Sequence, residues 1–284
     1  MIRAPPQPYL GLKVFVFLAA VTLATVIGTY MFASYTNEVS RNRNYLTLGF
    51  DHIYILSKRG KENRRRVMAK QMQFQGMTFG FHPALSSYDI EHPAEYTHFL
   101  GEEHWPNVFQ NHSLSAEALA DYRSHLNVIS DMVRLEFGSA LVLSDRVDME
   151  VEIKQQMRDI VTKVPSSWEI LYLGHCSSEP ETHRPSGISD TLFFAFEPRC
   201  TFAYAVSRQG AIRLKRILDN IWPNPKHPFD IQLIELVKPY FIEAYVIEPP
   251  LITERQDYSS QENLHNVKFR PLQKSTLNKL GIIP

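Results

Sequence analysis

The stretch that decides the fold is Ala140–Val151, ALVLSDRVDMEV, in which four apolar residues run directly into a cluster of carboxylates. A short run rich in aliphatic residues predicts a strand that is buried on both faces. The acidic residues behind it are Asp145, Asp148 and Glu150. Carboxylates at the carboxyl end of such a strand lie where open α/β sheets bind ligands, and they typically hold a cation or, through it, a nucleotide. The same pattern also fits a solvated strand-to-helix turn in which Asp145 or Asp148 caps the helix.

Composition narrows the class of protein. The chain has 284 residues with 30 basic and 30 acidic side chains, so its formal net charge is +0. Without a basic excess to neutralise phosphates, nucleic acid is not an expected partner. A hydrophobic content of 44% is enough for one sizeable core. Two cysteines are too few for a disulfide scaffold.

The N-terminal region predicts one membrane helix. Leu12–Tyr35 carries no charge between Val14 and Ser34, which is long enough to span a bilayer. A cleaved signal peptide would have a shorter apolar region, and Ala33-Ser34 is only a weak cleavage site, so a signal anchor is favoured. The predicted organisation is a short cytoplasmic tail over residues 1–13, a transmembrane signal anchor over 14–35, a stem over 36–49 and a luminal domain over 50–284.

The orientation of this helix rests on the size of the C-terminal domain, because basic residues are nearly balanced on its two sides. We expect the domain to be luminal, in a single-pass type II protein of the Golgi or endoplasmic reticulum membrane. Asn111-His112-Ser113 is a glycosylation sequon and fits that side of the membrane.

Strands alternate with helices along the rest of the chain, which predicts α/β layers. Residues 86–113 have no period and predict a long loop, and the chain from Thr253 on is expected to be weakly structured. Strands are predicted at Asp51–Leu56, Thr78–Pro83, Ala140–Leu143, Trp168–Leu173, Thr201–Val206 and Ala244–Ile247. Helices are predicted at Glu62–Gln75, Ser115–Phe137, Glu152–Lys163, Ser207–Leu218 and Phe229–Lys238.

Six short motifs follow one another between residues 50 and 255. They are Ile53–Ser57 followed by Asn63-Arg64-Arg65, Ser124-His125-Leu126, Ser144–Val147, Trp168–Gly174, Ala203–Ser207 and Pro228-Phe229-Asp230. In this order they resemble glycosyltransferase family 25, whose motifs are I-Y-V-I-N-L with D-R-R, S-H-L, E-D-D-V, W-D-x-x-Y-L-G, A-Y-x-x-S and P-x-D. This family contains lipooligosaccharide and collagen galactosyltransferases, and the chain resembles one of its many fungal members.

The resemblance implies a GT-A type fold, a nucleotide-sugar-binding sandwich with a mixed central sheet. It also implies transfer of a hexose, most simply galactose, from a uridine diphosphate (UDP) donor to a hydroxyl of a glycan or glycoprotein. In the family a divalent metal, typically Mn²⁺, bridges the diphosphate and the acidic motif. The leaving diphosphate carries developing negative charge, which a metal or fixed cations must stabilise.

The acidic motif departs from the family pattern. Ser144 and Arg146 stand where two acids are expected, and only Asp145 is retained. One reading is a shifted metal site of Asp145 and Asp148, with Glu150. A second is that Arg146 contacts the diphosphate directly, because a guanidinium suits phosphate geometry. The third is a catalytically inactive, membrane-anchored protein that binds a sugar nucleotide or a glycan.

The resemblance also implies roles for other side chains. Asp230 is a candidate for the base that takes the acceptor proton or for acceptor binding, with helix N-capping as the alternative. Asp145 is the second catalytic candidate. The candidate donor-binding residues are Ser57, Arg59, Arg65, Ser124, His125, Asp145 and Arg146, of which Ser57 and Arg59 are chosen by position, because loops after strands face the ligand.

Two of these assignments have plain structural alternatives. His125 could be a buried histidine bonded to backbone. Residues 64–66, all arginine, could form a solvated helix face, above all at Arg66.

Cys176 and Cys200 flank a loop that contains proline and glycine. In an oxidising lumen they could form a disulfide that closes this loop. Loop closure of this length would stabilise the fold by about 3 kcal/mol.

Overall fold

The computed structural model describes residues 25–31, 45–92, 114–176, 184–222, 224–238, 240–255 and 271–283. The chain divides into two units, Met1–Asn44 and Tyr45–Pro284. In the first unit, residues 25–31 are helical and exposed. Most of the predicted span over 14–35 and the sequon at Asn111 lie outside the described residues. Within the described ranges no helix has both the length and the apolarity to cross a bilayer. The signal anchor therefore stays a prediction.

Helices and strands alternate in the second unit. Its described strands are β1 (His52–Lys58), β2 (Gly80–Ala84), β3 (Ser139–Ser144), β4 (Val147–Met149), β5 (Ile170–Gly174), β6 (Arg184–Ser189), β7 (Leu192–Phe194), β8 (Ala203–Ser207), β9 (Ala244–Ile247) and β10 (Ile252–Glu254). Its described helices are α1 (Glu62–Phe74), α2 (Ser87–Glu91), α3 (Ala116–Arg134), α4 (Ile153–Val161), α5 (Arg208–Ile221), α6 (Phe229–Val237) and α7 (Thr276–Lys279).

The main sheet has eight strands in the order β2-β1-β3-β8-β5-β9-β7-β6. Strand β1 is parallel to both β2 and β3, whereas β8 runs antiparallel between β3 and β5. Strand β9 is parallel to β5, and β7 and β6 complete the sheet as an antiparallel edge. The prediction of an α/β fold with a mixed central sheet is confirmed.

Both faces of this sheet are buried. Alternate side chains of β3 enter two separate cores: Val142 packs with residues of α3, α5 and α6, and Leu141 packs with residues of α1 and α4. A strand covered on both sides needs apolar residues at successive positions, which is why its sequence reads as a continuous aliphatic run.

A small second sheet lies beyond the carboxyl end of β3. Strands β4 and β10 pair antiparallel, with Val147 opposite Glu254. A bridge between Glu150 and Ser275 continues this pairing and brings in α7. The expectation of a weakly structured chain from Thr253 on is therefore wrong in the described part of that region.

This second sheet excludes the alternative of a solvated strand-to-helix turn. Asp148 lies on a second buried strand, Asp145 lies in the turn before it, and both side chains are buried. The N-cap residue of α4 is Glu152, which makes no capping hydrogen bond through its side chain. Neither aspartate is the N-cap of α4, the helix that follows, so that alternative is wrong.

Three further elements, α2, β6 and β7, were not predicted. Helix α2 lies at the start of the predicted loop over 86–113 and begins with a capping box between Ser86 and Asp89. Residues 93–113 of that loop lie outside the described residues. Strands β6 and β7 form an edge hairpin, and β6 is largely exposed and carries Pro185 and Gly187, so it has no alternating pattern.

The structure contains the predicted disulfide. Cys176 and Cys200 are bonded, with their Cα atoms 5.5 Å apart. The bond joins the end of β5 to the segment before β8. Nearby, a Cβ on Gly174 would lie 2.3 Å from the carbonyl oxygen of Ile252, so only glycine lets β10 pack this closely on β5.

Candidate functional site

The candidate site forms where β1 and β3 end. The two strands are adjacent and parallel, and their register pairs Leu56 with Ser144. Ser57 and Asp145 therefore become neighbours, and the Ser57 hydroxyl donates to Asp145 Oδ2 at 2.7 Å. The backbone N–H of Asp145 also donates to the carbonyl of Leu56 at 3.1 Å. The carboxylate is thereby held at the carboxyl edge of the sheet, where α/β proteins bind nucleotides.

Two arginines of α1 complete this arrangement. Arg65 donates from Nε to Ser57 Oγ at 3.0 Å and from Nη2 to the Ser57 carbonyl at 3.2 Å. Arg64 places Nη1 at 3.8 Å from Asp145 Oδ1. The alternative of a solvated helix face holds for Arg66 alone, since its side chain is exposed. The structure therefore brings together three of the predicted donor-binding residues, Ser57, Arg65 and Asp145.

Arg146 points to β10. Its Nη2 forms an ion pair with Glu254 Oε1 at 2.8 Å, and the two side chains are 33% and 7% exposed. Burial raises the pKa of Glu254, while the guanidinium groups of Arg146 and Arg64 lower it. Two cations and two carboxylates thus act on one another around the end of β3. Sequence reasoning missed Glu254, because its partner Arg146 lies more than a hundred residues before it in the chain.

His125 lies in α3 beside this cluster. Its Nδ1 is 2.8 Å from the hydroxyl of Tyr204, and its ring stacks on Phe229 with centroids 4.4 Å apart. Burial lowers the pKa of His125, while the charges of Asp121 and Asp230 act in the opposite direction. The polar contacts of the ring go to side chains, so the alternative of a histidine bonded to backbone is wrong.

Two carboxylates border His125. Asp230 lies in the first turn of α6, where the N-cap position is held by Pro228, so Asp230 is not the N-cap residue. Asp121 lies one turn before His125, with Oδ1 at 3.8 Å from Nε2 and a side chain that is 56% exposed. Sequence reasoning did not single out Asp121, although its i, i+4 spacing from His125 was available as a signal.

One predicted donor-binding residue, Ser124, has partners outside this cluster. Ser124 is 1% exposed, and its hydroxyl donates to the Ala120 carbonyl at 2.6 Å and accepts from the Leu85 amide at 2.8 Å. It therefore ties α3 to the segment after β2. Arg59 is exposed in the turn after β1.

The predicted metal ligands have different partners. Asp148 accepts from the Leu277 amide at 3.1 Å and from the Ser275 hydroxyl. Glu150 accepts from the Lys274 amide at 2.9 Å and from the Gln273 amide. Both carboxylates hold the segment that carries α7, not a common point with Asp145.

The predicted metal ligands, Asp145 and Asp148 with Glu150, therefore do not form a site for a divalent cation. Mn²⁺ and Mg²⁺ need several oxygen ligands around one point. Among the residues that the structure describes, no group of three or more His, Cys, Asp or Glu side chains could hold a metal ion. At the end of β3, Asp145 already accepts a hydrogen bond from Ser57 and faces Arg64, and Glu254 is paired with Arg146.

Comparison with known proteins places this site in context. A "Glycosyltransferase 25 family member" of Anopheles gambiae is 23% identical over 174 residues, which cover 60% of this chain and 29% of that protein. A protein of the same description from Drosophila melanogaster is 21% identical over 196 residues, which cover 66% of this chain and 32% of that protein. The chain thus spans about a third of the length of the curated relatives that it matches.

Among solved structures, the chain is similar to a glycosyltransferase involved in the glycosylation of the major capsid of PBCV-1. The TM-score is 0.40 at 10% identity, over 72% of this chain and 92% of that one. A likeness of this size carries no argument of its own. The model of "Glycosyltransferase family 25 (LPS biosynthesis protein)" matches residues 50–231, which include β1, α1, β3 and the start of α6. Since the match covers more than half of the chain, this protein belongs to glycosyltransferase family 25.

Proposed function

We propose that this protein transfers a hexose, most simply galactose, from a UDP-sugar to a hydroxyl of a glycan or glycoprotein, on a domain of GT-A type. The observation that carries the proposal is the constellation of Arg65, Ser57 and Asp145 at the carboxyl edge of β1 and β3, in a chain of this family. This edge is where a nucleotide binds in an open α/β sheet. A fixed carboxylate there can accept hydroxyl donors of the donor sugar nucleotide.

In the proposed reaction, Asp230 and Asp145 have different roles. The acceptor oxygen forms a bond to the anomeric carbon as the bond from that carbon to the diphosphate oxygen breaks. The acceptor proton passes to Asp230, and UDP leaves with the electron pair of the broken bond. Asp145 orients the donor, and the cations beside it stabilise the charge on the leaving group.

We also propose that the protein is anchored by residues 14–35 in the Golgi or endoplasmic reticulum membrane, with this domain in the lumen. The disulfide between Cys176 and Cys200 supports an oxidising compartment. The length of the uncharged segment and the sequon at Asn111 support the same topology.

Turnover by the full chain in a mild detergent tests the proposal. UDP release is measured with UDP-galactose and UDP-glucose against a panel of glycoside acceptors. We expect release that depends on the acceptor and is abolished by Asp145→Asn without loss of cooperative unfolding. Asp230→Asn should lower kcat more than it changes KM. Asp219→Asn, which removes a surface ion pair with Lys215, is the matched control and should turn over normally. Normal turnover by Asp145→Asn contradicts the assignment.

A second candidate is a protein that binds a sugar nucleotide or glycan without turnover. Ser144 and Arg146, in place of two acids, favour it. UDP binding with no release from either donor and any acceptor would support this candidate over the transferase.

A further inference from the structure

We infer that the donor diphosphate is bound by Arg64 and Arg146 in place of a divalent cation, and that Glu254 holds Arg146 until the diphosphate displaces it. This inference rests on the proposed function. It deepens that function by naming the groups that neutralise the leaving UDP.

The charges at the end of β3 are arranged for an anion. Arg64 lies 3.8 Å from Asp145, and Arg146 directly follows Asp145 in the chain. Both guanidinium groups also act on the charge of Glu254, so they surround one region. A divalent cation at this point would meet two guanidinium groups and two carboxylates, Asp145 and Glu254, that each already face an arginine, whereas phosphate oxygens would meet donors of opposite charge. A guanidinium can bind two phosphate oxygens at once.

Arg146 can change partners without a change in the backbone. Its guanidinium is one-third exposed, although the carboxylate of Glu254 that it pairs with is buried. The main chain is held separately, because the Arg255 amide donates to the Arg146 carbonyl at 2.8 Å and Val147 pairs with Glu254. The ion pair is therefore not needed to keep β4 and β10 together. Glu254 competes with the diphosphate for the same guanidinium.

Calorimetry of UDP binding to the full chain in a mild detergent tests the need for a cation. The titration is carried out in EDTA and in MnCl₂. Dissociation constants that agree within about twofold support the inference, because a phosphate bridged by a metal would lose affinity steeply on chelation. Binding that is about tenfold or more tighter with Mn²⁺ overturns the inference and leaves the proposed function intact. An absence of UDP binding in both buffers overturns both.

Two variants separate direct contact from a structural role. Arg146→Gln should weaken UDP binding in EDTA about tenfold or more, since hydrogen bonds between charged groups are lost. Glu254→Gln should tighten it several-fold, because the competing carboxylate is gone. If the ion pair merely supports the fold, both variants weaken binding, and that result overturns the inference.

Arg213→Gln is the matched control. Arg213 is also partly exposed and pairs with a buried carboxylate, Glu169, at 3.1 Å, but this pair lies near the amino end of β3, opposite to the candidate site. It should lose a comparable ion pair and leave UDP affinity unchanged. Arg64→Gln, on α1, is a second test of the same inference. It is used if Arg146→Gln does not unfold cooperatively. Unchanged UDP affinity in Arg64→Gln would then overturn it.

Discussion

Ser57→Ala removes the hydroxyl at the centre of the candidate site. That hydroxyl donates to Asp145 at 2.7 Å and accepts from Arg65 Nε at 3.0 Å, and Ser57 is 1% exposed. Each hydrogen bond to a charged group contributes about 1.5–3 kcal/mol when buried. Arg65 keeps its second bond, to the Ser57 carbonyl, which the substitution does not touch. We therefore expect the free energy of unfolding to fall by about 2–4 kcal/mol.

The assay is urea unfolding of the full chain in a mild detergent, with a double-mutant cycle. Ser57→Ala and Asp145→Asn are measured alone and together, since a direct bond predicts a coupling energy of about 1 kcal/mol or more. Ser115→Ala is the control: it removes only the N-cap of α3, a contact to the Ala118 amide, and should cost about 1 kcal/mol. A loss below about 0.5 kcal/mol for Ser57→Ala, or strict additivity with Asp145→Asn, would refute the reasoning.

Three further predictions concern other parts of the domain. Because burial holds the pKa of His125 below 6.5, the unfolded state binds the extra proton. The contribution of His125 to the free energy of unfolding is then fully present above about pH 6.5. It is lost as the pH drops below that value, by at most about 1.4 kcal/mol per pH unit. His125→Asn should flatten that part of the pH profile in thermal unfolding, and an unchanged profile would contradict it. Asp148→Asn should make the segment that carries α7 more sensitive to limited proteolysis without changing the affinity for UDP. A loss of UDP affinity would contradict this and indicate that Asp148 contributes to the candidate site. Replacing Cys176 and Cys200 together by serine should lower the free energy of unfolding by about 3 kcal/mol, and a loss below 1 kcal/mol in urea would contradict the loop-closure argument.

Local patterns predicted the main layers of the fold. The aliphatic run over Ala140–Leu143 lies inside β3, and the predicted helix that starts at Ser115 is α3, capped by the Ser115 hydroxyl. Both are confirmed because side-chain periodicity and caps act over a few residues. Strands β4 and β10 were missed. Each has three residues, too few for a pattern, and each is defined only by its pairing with the other.

The candidate site was also predicted only in part. The motifs around Ser57, Arg65 and Asp145 indicated which residues would meet, since parallel neighbouring strands bring their carboxyl ends to one edge. The partner of Arg146 was not visible in the motif. Glu254 becomes its neighbour only when the small sheet forms, and burial on that sheet is what perturbs its pKa.

The sequence by itself determined that this is an α/β protein of glycosyltransferase family 25, because buried strands and ordered motifs are local properties. Only the tertiary structure decided what each carboxylate after β3 does. Asp145 faces Arg64 of α1, whereas Glu150 holds two backbone amides that are 123 and 124 residues away in the chain. The sequence alone does not show which partners a carboxylate has. Its role follows from the groups that the fold brings within hydrogen-bonding distance, and those groups come from distant segments.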